Sequence, residues 1–218
     1  MSTGASAHAA REHLRAADPV LRALIDRCGP DGLPERRAGG QREHYGALVR
    51  TIVGQQLSTR AAAAIYLRVA ERFGGREPTP EEILAEDPEA LRAVGLSRAK
   101  VSYLRSLAEH VLDGSLELAR MDSLPDEQVI AELSAVKGIG TWSAHMFLIF
   151  HLRRPDVLAV GDLGIRKAMQ AAYGLHGLPS PAEMEQIAAG WRPYRTLACR
   201  YLWATLDNEP GATEPDPI

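Results

Sequence analysis

LSAVKGIGTWSAHMFLIF, residues 133–150, reads as the end of one apolar helix, a short turn with two glycines, and the start of a second apolar helix. Gly138 and Gly140 flank Ile139, so this turn can adopt positive φ and approach another molecule with no Cβ in the way. The helix beyond it opens with amides, from about Thr141 to Ala144, that lack an intrahelical acceptor. Such an N-terminus suits an anion, of which phosphate is the obvious case. Taken alone, a plain packing turn accounts for the glycines equally well.

Outward from the hairpin, the punctuation is helical. Asp18-Pro19, Thr79-Pro80, Asp87-Pro88 and Ser180-Pro181 each place an N-cap residue before a proline at the first helical position. Gly29, Gly74, Gly95 and Gly174 each close an apolar-periodic run. The pattern predicts helices near 19–28, 44–53, 59–73, 80–86, 88–93, 98–113, 126–135, 141–152, 163–173, 181–190 and 193–206. No useful length alternates with period two, so the expected fold class is all-α. A second helix–turn–helix, LRAVGLSRAKVSYL at 91–104, echoes the hairpin too weakly to be a repeat; Ser97 can cap its second helix, and Arg98 and Lys100 add charge there.

The 218 residues, 45% hydrophobic and 24% charged, suffice for one large domain or two small ones. Residues 1–10 are small and polar, without the apolar segment of a signal peptide or membrane span. Two cysteines, Cys28 and Cys199, fit a reducing compartment, so a cytoplasmic location is expected. The formal net charge of −3 argues at first against a nucleic-acid partner. Six acids crowd 77–89 and four more mark 207–216; setting those ten aside leaves 18 acids against 25 Lys and Arg, enough for a locally basic face.

VKGIGTWSAHMF, followed about twenty residues later by LAVGDLGIRKAM, resembles the helix-hairpin-helix, loop and aspartate signature of the base-excision DNA glycosylases. ALVRTIVGQQLSTRAAAAIYLRVAERFG at 47–74 and WRPYRTLACRYLWA at 191–204 are similar to the 3-methyladenine DNA glycosylase II branch, in its compact all-helical form. The resemblance implies two lobes, 1–43 with 153–218 and 44–152, and a lesion cleft between them. It also implies a monomer that acts on double-stranded DNA with alkylated bases, away from any membrane, flipping out an alkylated purine and hydrolysing its N-glycosidic bond.

On the same resemblance, Asp162 is the catalytic carboxylate, although its place between Gly161 and an apolar helix also reads as an N-cap. Trp142 stands where strand-nicking relatives carry a Schiff-base lysine, which implies no lyase activity. Trp142, Trp203 and Met146 match the base pocket, Met146 replacing a tyrosine of some relatives. Gln56 matches the wedge that fills the gap left by a flipped nucleotide, with Gln55 and Ser58 in the same DNA-binding loop; Ser58 also reads as a cap. Lys137, Gly138, Gly140, Thr141 and Ser143 would bind the DNA backbone. The carbonyls of Ser134, Val136 and Ile139 match those that hold a structural Na+ or K+; no cofactor is required, and two cysteines cannot supply a four-cysteine iron–sulfur loop. Asp156 reads as a loop carboxylate, Trp191 and Tyr194 as packing for the last helices, His44 as an exposed histidine and Tyr45 as a core aromatic. The rival readings are a non-catalytic helix-hairpin-helix DNA-binding module, which has no need of Asp162 and the aromatic pair, and a glycosylase for a neutral mismatched or oxidised base.

Overall fold

The structure, a computed structural model, describes residues 3–28, 33 and 44–207, and these residues contain helices and no strand. They divide into two compact units, one drawn from Met1–Arg37 and Arg153–Thr213, the other from Ala38–Leu152. No helix among the described residues is long and apolar enough to cross a membrane.

The first unit holds α1 (Thr3–Ala17), α2 (Pro19–Arg27), α10 (Leu163–Tyr173), α11 (Pro181–Ile187) and α12 (Arg195–Asp207). Helix α1 has no counterpart in the expected set. Its small residues are chiefly alanine, the strongest helix former, and Ala10 and Leu14 share one buried stripe at a spacing of four. Asp18 joins α1 to α2 and is buried. Its Oδ1 accepts the Val20 and Leu21 amides at 2.8 and 3.1 Å, and its Oδ2 accepts the Tyr173 hydroxyl at 2.7 Å and the Trp191 indole N–H at 2.9 Å. Four donors thus satisfy a carboxylate that would otherwise be costly to bury. Burial, then the Asp18 carboxylate, raises the Tyr173 pKa well above its ordinary value.

The second unit comprises α3 (His44–Gly54), α4 (Thr59–Arg72), α5 (Pro80–Ala85), α6 (Pro88–Ala93), α7 (Arg98–Leu112), α8 (Asp126–Ala135) and α9 (Thr141–Met146). Helix α3 is its axis, with Leu48, Val49, Ile52 and Val53 fully buried beside Leu104 and Leu107 of α7 and Leu148 beyond α9. The helix expected over 141–152 stays α only to Met146. Phe147–His151 forms a π turn, closed by the Leu152 amide on the Phe147 carbonyl at 3.0 Å. Residues 143–149 are all buried, so no solvent-facing stripe sets the helical phase there. The run expected over 181–190 likewise tightens to a 3₁₀ turn at Ala188–Trp191, and α12 starts at Arg195.

All four cap–proline pairs do what their sequence predicts, each cap side chain accepting an amide of its helix's first turn. Ser58 and Ser97 cap α4 and α7 in the same way. Gly29 lies outside the described residues. His44 is not an exposed histidine: it is half-buried, its Nδ1 2.7 Å from His151 Nε2 and its Nε2 3.2 Å from the Asp122 carboxylate. The pairing explains why a polar ring tolerates the edge of an apolar core.

Asp18→Ala removes a cap and strands two buried donors, so unfolding in urea should show a loss of about 2–4 kcal/mol. An unchanged midpoint would show that the four bonds are not native-state contacts.

Candidate active site and DNA interface

The hairpin is set by two apolar anchors and two glycines with separate tasks. Val136 and Ile139 are buried and fasten the turn, and the Ile139 amide donates to the Val136 carbonyl at 3.1 Å. Gly138 alone takes the positive φ, 85°. A Cβ there would lie 2.2 Å from the Tyr103 ring, so Gly138 admits the ring as well as the turn. Gly140 does not share the positive φ that its sequence suggests: it is the extended N-cap of α9, at φ −99° and ψ 178°. It offers no capping side chain, and a Cβ there would meet no atom within 4 Å. The first bond inside α9 runs from the Ala144 amide to the Gly140 carbonyl at 3.0 Å, so Thr141, Trp142 and Ser143 stand ahead of the helical ladder.

Around the hairpin, Lys137 is exposed and lines a polar pocket of about 410 Å³ with Arg98, Ser102, Arg105 and Glu109. Trp142 is 40% exposed, a large apolar surface for one residue, whereas Ser143 and Met146 are buried. Ser134 is exposed one turn before the hairpin. The loop after α3 projects Gln56 at φ 58°, a left-handed conformation rare outside glycine, with exposed Leu57 beside it. Gln55 turns instead toward the hairpin, its Nε2 donating to the Gly138 carbonyl at 2.8 Å.

In the first unit, Asp162 caps α10. Its Oδ1 accepts the Ile165 amide at 2.7 Å and the Trp203 indole N–H at 3.0 Å. Trp203 thus holds the carboxylate by a directed bond as well as supplying an aromatic surface. The loop before Asp162 is stitched to the helix that carries Trp203. Buried Arg195 donates to Asp156 Oδ1 and to the Asp156 carbonyl, both at 2.7 Å, and to Glu185 at 3.1 Å. Thr196 Oγ1 donates to the Arg154 carbonyl at 2.6 Å and accepts the Val157 amide at 3.0 Å. Asp156 is therefore a structural partner of α12, and Arg195 and Thr196 are supports that motif reading passed over. The available signal was an arginine at the start of the otherwise largely apolar run RTLACRYLWATLD. Trp191 is fully buried.

The acidic stretch is less isolated than its sequence suggests. Arg72 pairs with Glu86 at 2.9 Å, Arg76 with Glu82, and Arg92 with Glu89. Arg76 and the Thr79 amide hold Glu82 down at about 2, below the usual carboxylate range. These arginines are spent locally, so the basic excess elsewhere is smaller than the count of charges implies.

The hairpin, with its uncapped helix start, has the geometry of a helix-hairpin-helix protein, and a carboxylate held beside an indole suits a positive charge. Residues 49–193 match the HhH-GPD superfamily base excision DNA repair protein family, and the chain belongs to that family. It is 35% identical over 195 residues to DNA-3-methyladenine glycosylase 1 of Schizosaccharomyces pombe, covering 88% of this chain and 85% of that one. It is 30% identical over 171 residues to DNA-3-methyladenine glycosylase 2 of Escherichia coli, covering 74% of this chain and 57% of that protein. Among solved structures, the S. pombe 3-methyladenine DNA glycosylase in complex with abasic DNA superposes with a TM-score of 0.81 at 34% identity, covering 94% of this chain and 99% of that chain.

Trp203→Phe keeps an aromatic ring but removes the N–H donor and part of the ring volume, which should cost at least about 1 kcal/mol of stability at this half-buried bond. In the wild type, the Trp203 indole proton resonance should shift on Asp162→Ala; an unmoved resonance would remove the bond.

Proposed function

We propose that this chain is a monofunctional DNA glycosylase that excises alkylated purines, of the 3-methyladenine and 7-methylguanine type, from double-stranded DNA and leaves an abasic site. The observation that carries the reading is Asp162: a half-buried carboxylate whose position is fixed by the Ile165 amide and the Trp203 indole, in a chain of this family. A base methylated at N3 or N7 carries positive charge and leaves readily, taking the electron pair of the glycosidic bond. The sugar left behind is oxocarbenium-like, and water completes the reaction at C1′. The Asp162 carboxylate stabilises that cation, and its fixed orientation means that little reorganisation is needed as charge develops.

The exposed Trp142 face favours a cationic purine over a neutral one by cation–π and stacking terms of about 0.5–2 kcal/mol. An indole cannot form a Schiff base, which is why the reaction stops at the abasic site. The hairpin grips phosphate through backbone amides about Gly140 and Thr141, with Lys137 adding charge, while Gln56 enters the stack as the damaged nucleotide leaves it. Ser134, Val136 and Ile139 would contribute carbonyls to a Na+ or K+ at the hairpin; carbonyl oxygens suit such a hard cation, and Val136 retains a second lone pair beside its bond to Ile139. The protein acts as a monomer.

Asparagine preserves the cap, since its Oδ1 can take both donors, but removes the charge. Asp162→Asn should therefore fold and bind lesion duplex while single-turnover release of 3-methyladenine falls by on the order of 10²–10³. Wild-type rates would leave Asp162 as a cap alone.

Gly140→Asp tests the phosphate grip without a clash inside the protein, because space around that Cβ is open. Affinity for damaged and undamaged duplex should fall together, as phosphate contacts position without reading sequence. Unchanged affinity in filter binding would take the hairpin out of the interface.

A further inference from the structure

The loop that presents Gln56 is short and strained, yet two side chains from distant positions fasten its base. Gln55 Nε2 donates to the Gly138 carbonyl across 83 residues of sequence at 2.8 Å, with Ser143 Oγ a further 3.5 Å neighbour. On its other side, Lys100 of α7 donates from Nζ to the Val53 carbonyl at 2.7 Å. Val53 lies in the last turn of α3, where carbonyls lack an intrahelical donor and a cation is favoured. Lys100 is half-buried, and desolvation lowers its pKa.

The Gln55 bond ends on Gly138, whose positive φ shapes the hairpin, and the Lys100 bond ends on Val53, two residues before Gln55. We propose that Gln55 and Lys100 are positioning residues, Gln55 tying the Gln56 loop to the hairpin and Lys100 tying the base of that loop to α7, so that gripping the backbone and wedging the base stack occur as one event. The proposal rests on the glycosylase reading above and adds a coupling that Gln56 cannot supply by itself. Left-handed backbone at a non-glycine residue persists only when its surroundings over-determine it, and these two bonds add to the turn bonds from the Gln55 amide to the Ile52 carbonyl and from the Leu57 amide to the Gly54 carbonyl. If the loop were free, the ordering of Gln56 would be charged against every flipping event.

The test separates wedging from chemistry. Gln55→Leu and Lys100→Met each remove one bond at similar side-chain length, and Lys100→Arg restores a donor. Excision of 3-methyladenine is measured from a fully paired duplex and from single strands, where no partner strand has to be unpaired. Lys100→Met should lower the paired-duplex rate about tenfold, the scale of one hydrogen bond, and leave the single-strand rate within about twofold, and Gln55→Leu should lower the paired-duplex rate more than the single-strand rate. Lys100→Arg should recover most of the loss, and Gln55→Leu combined with Gln56→Ala should be less than additive. Hydrogen exchange of residues 55–58 in the DNA-free protein should quicken in both removal variants, a readout independent of activity. Equal losses on both substrates, or unchanged exchange, would overturn the coupling. A wild-type protein that excises no lesion would instead overturn the glycosylase reading, with the exchange result still deciding the fastening.

Discussion

Half-burying a carboxylate costs solvation, and at Asp162 two N–H donors, the Ile165 amide and the Trp203 indole, aim at a single oxygen. One donor is local, the amide three residues on, and follows from placing aspartate before an apolar helix. The other comes from Trp203, 41 residues away. Its alignment depends on α12 being held in register with the preceding loop, which is the work of Arg195 and Thr196 on Asp156, Arg154 and Val157. The Arg195 guanidinium is itself buried and is tolerated because Asp156 and Glu185 surround it. The geometry at one oxygen thus depends on an ion-pair cluster that touches no reacting atom.

Asp18 provides the contrast within the same unit. It too is an N-cap aspartate that accepts an indole N–H, but four donors occupy both its oxygens and it is buried. A carboxylate so saturated is a structural pin between α1, α10 and the Trp191 turn. Asp162 differs in exposure and in having both described donors on Oδ1. The residue type and the cap motif are the same in the two cases; accessibility separates the saturated anchor from the carboxylate proposed to act on the sugar.

What could be read in advance follows the range of each interaction. Capping acts over three residues, so Thr79, Asp87, Ser97, Ser180 and Asp162 were legible from adjacent letters. Helix α1 carries little apolar periodicity, because its helical tendency rests on alanine and its buried stripe over residues 7–17 is Ala10 and Leu14. The hairpin was legible as a hairpin, but the division between Gly138 and Gly140 was not, since it turns on a Tyr103 ring 35 positions earlier. The bonds from Gln55 to Gly138, Trp203 to Asp162 and His44 to His151 cross 41 to 107 residues. No local pattern encodes such pairs in a single sequence. Resemblance to a family placed the aromatic and acidic residues, but the hydrogen bonds among them came only with the coordinates.

A separation of tasks follows. Backbone amides at the hairpin can hold any phosphate, and a carboxylate such as Asp162 would stabilise a cationic sugar whatever base departs, so neither reads the lesion. On the proposed reading, discrimination would be left to groups that respond to the base itself: the exposed indole of Trp142, which would favour positive charge, and the leaving ability that the same charge confers. Both respond to one property, so a cationic purine gains twice, once in binding and once in departure, without a dedicated hydrogen-bond code. Met146 in place of a tyrosine fits that logic, because a thioether supplies polarisable contact and no hydroxyl that would demand a particular base edge. A site that works in the proposed way would tolerate variety among alkylated purines and would discriminate against normal bases chiefly through their neutral charge and firm glycosidic bonds.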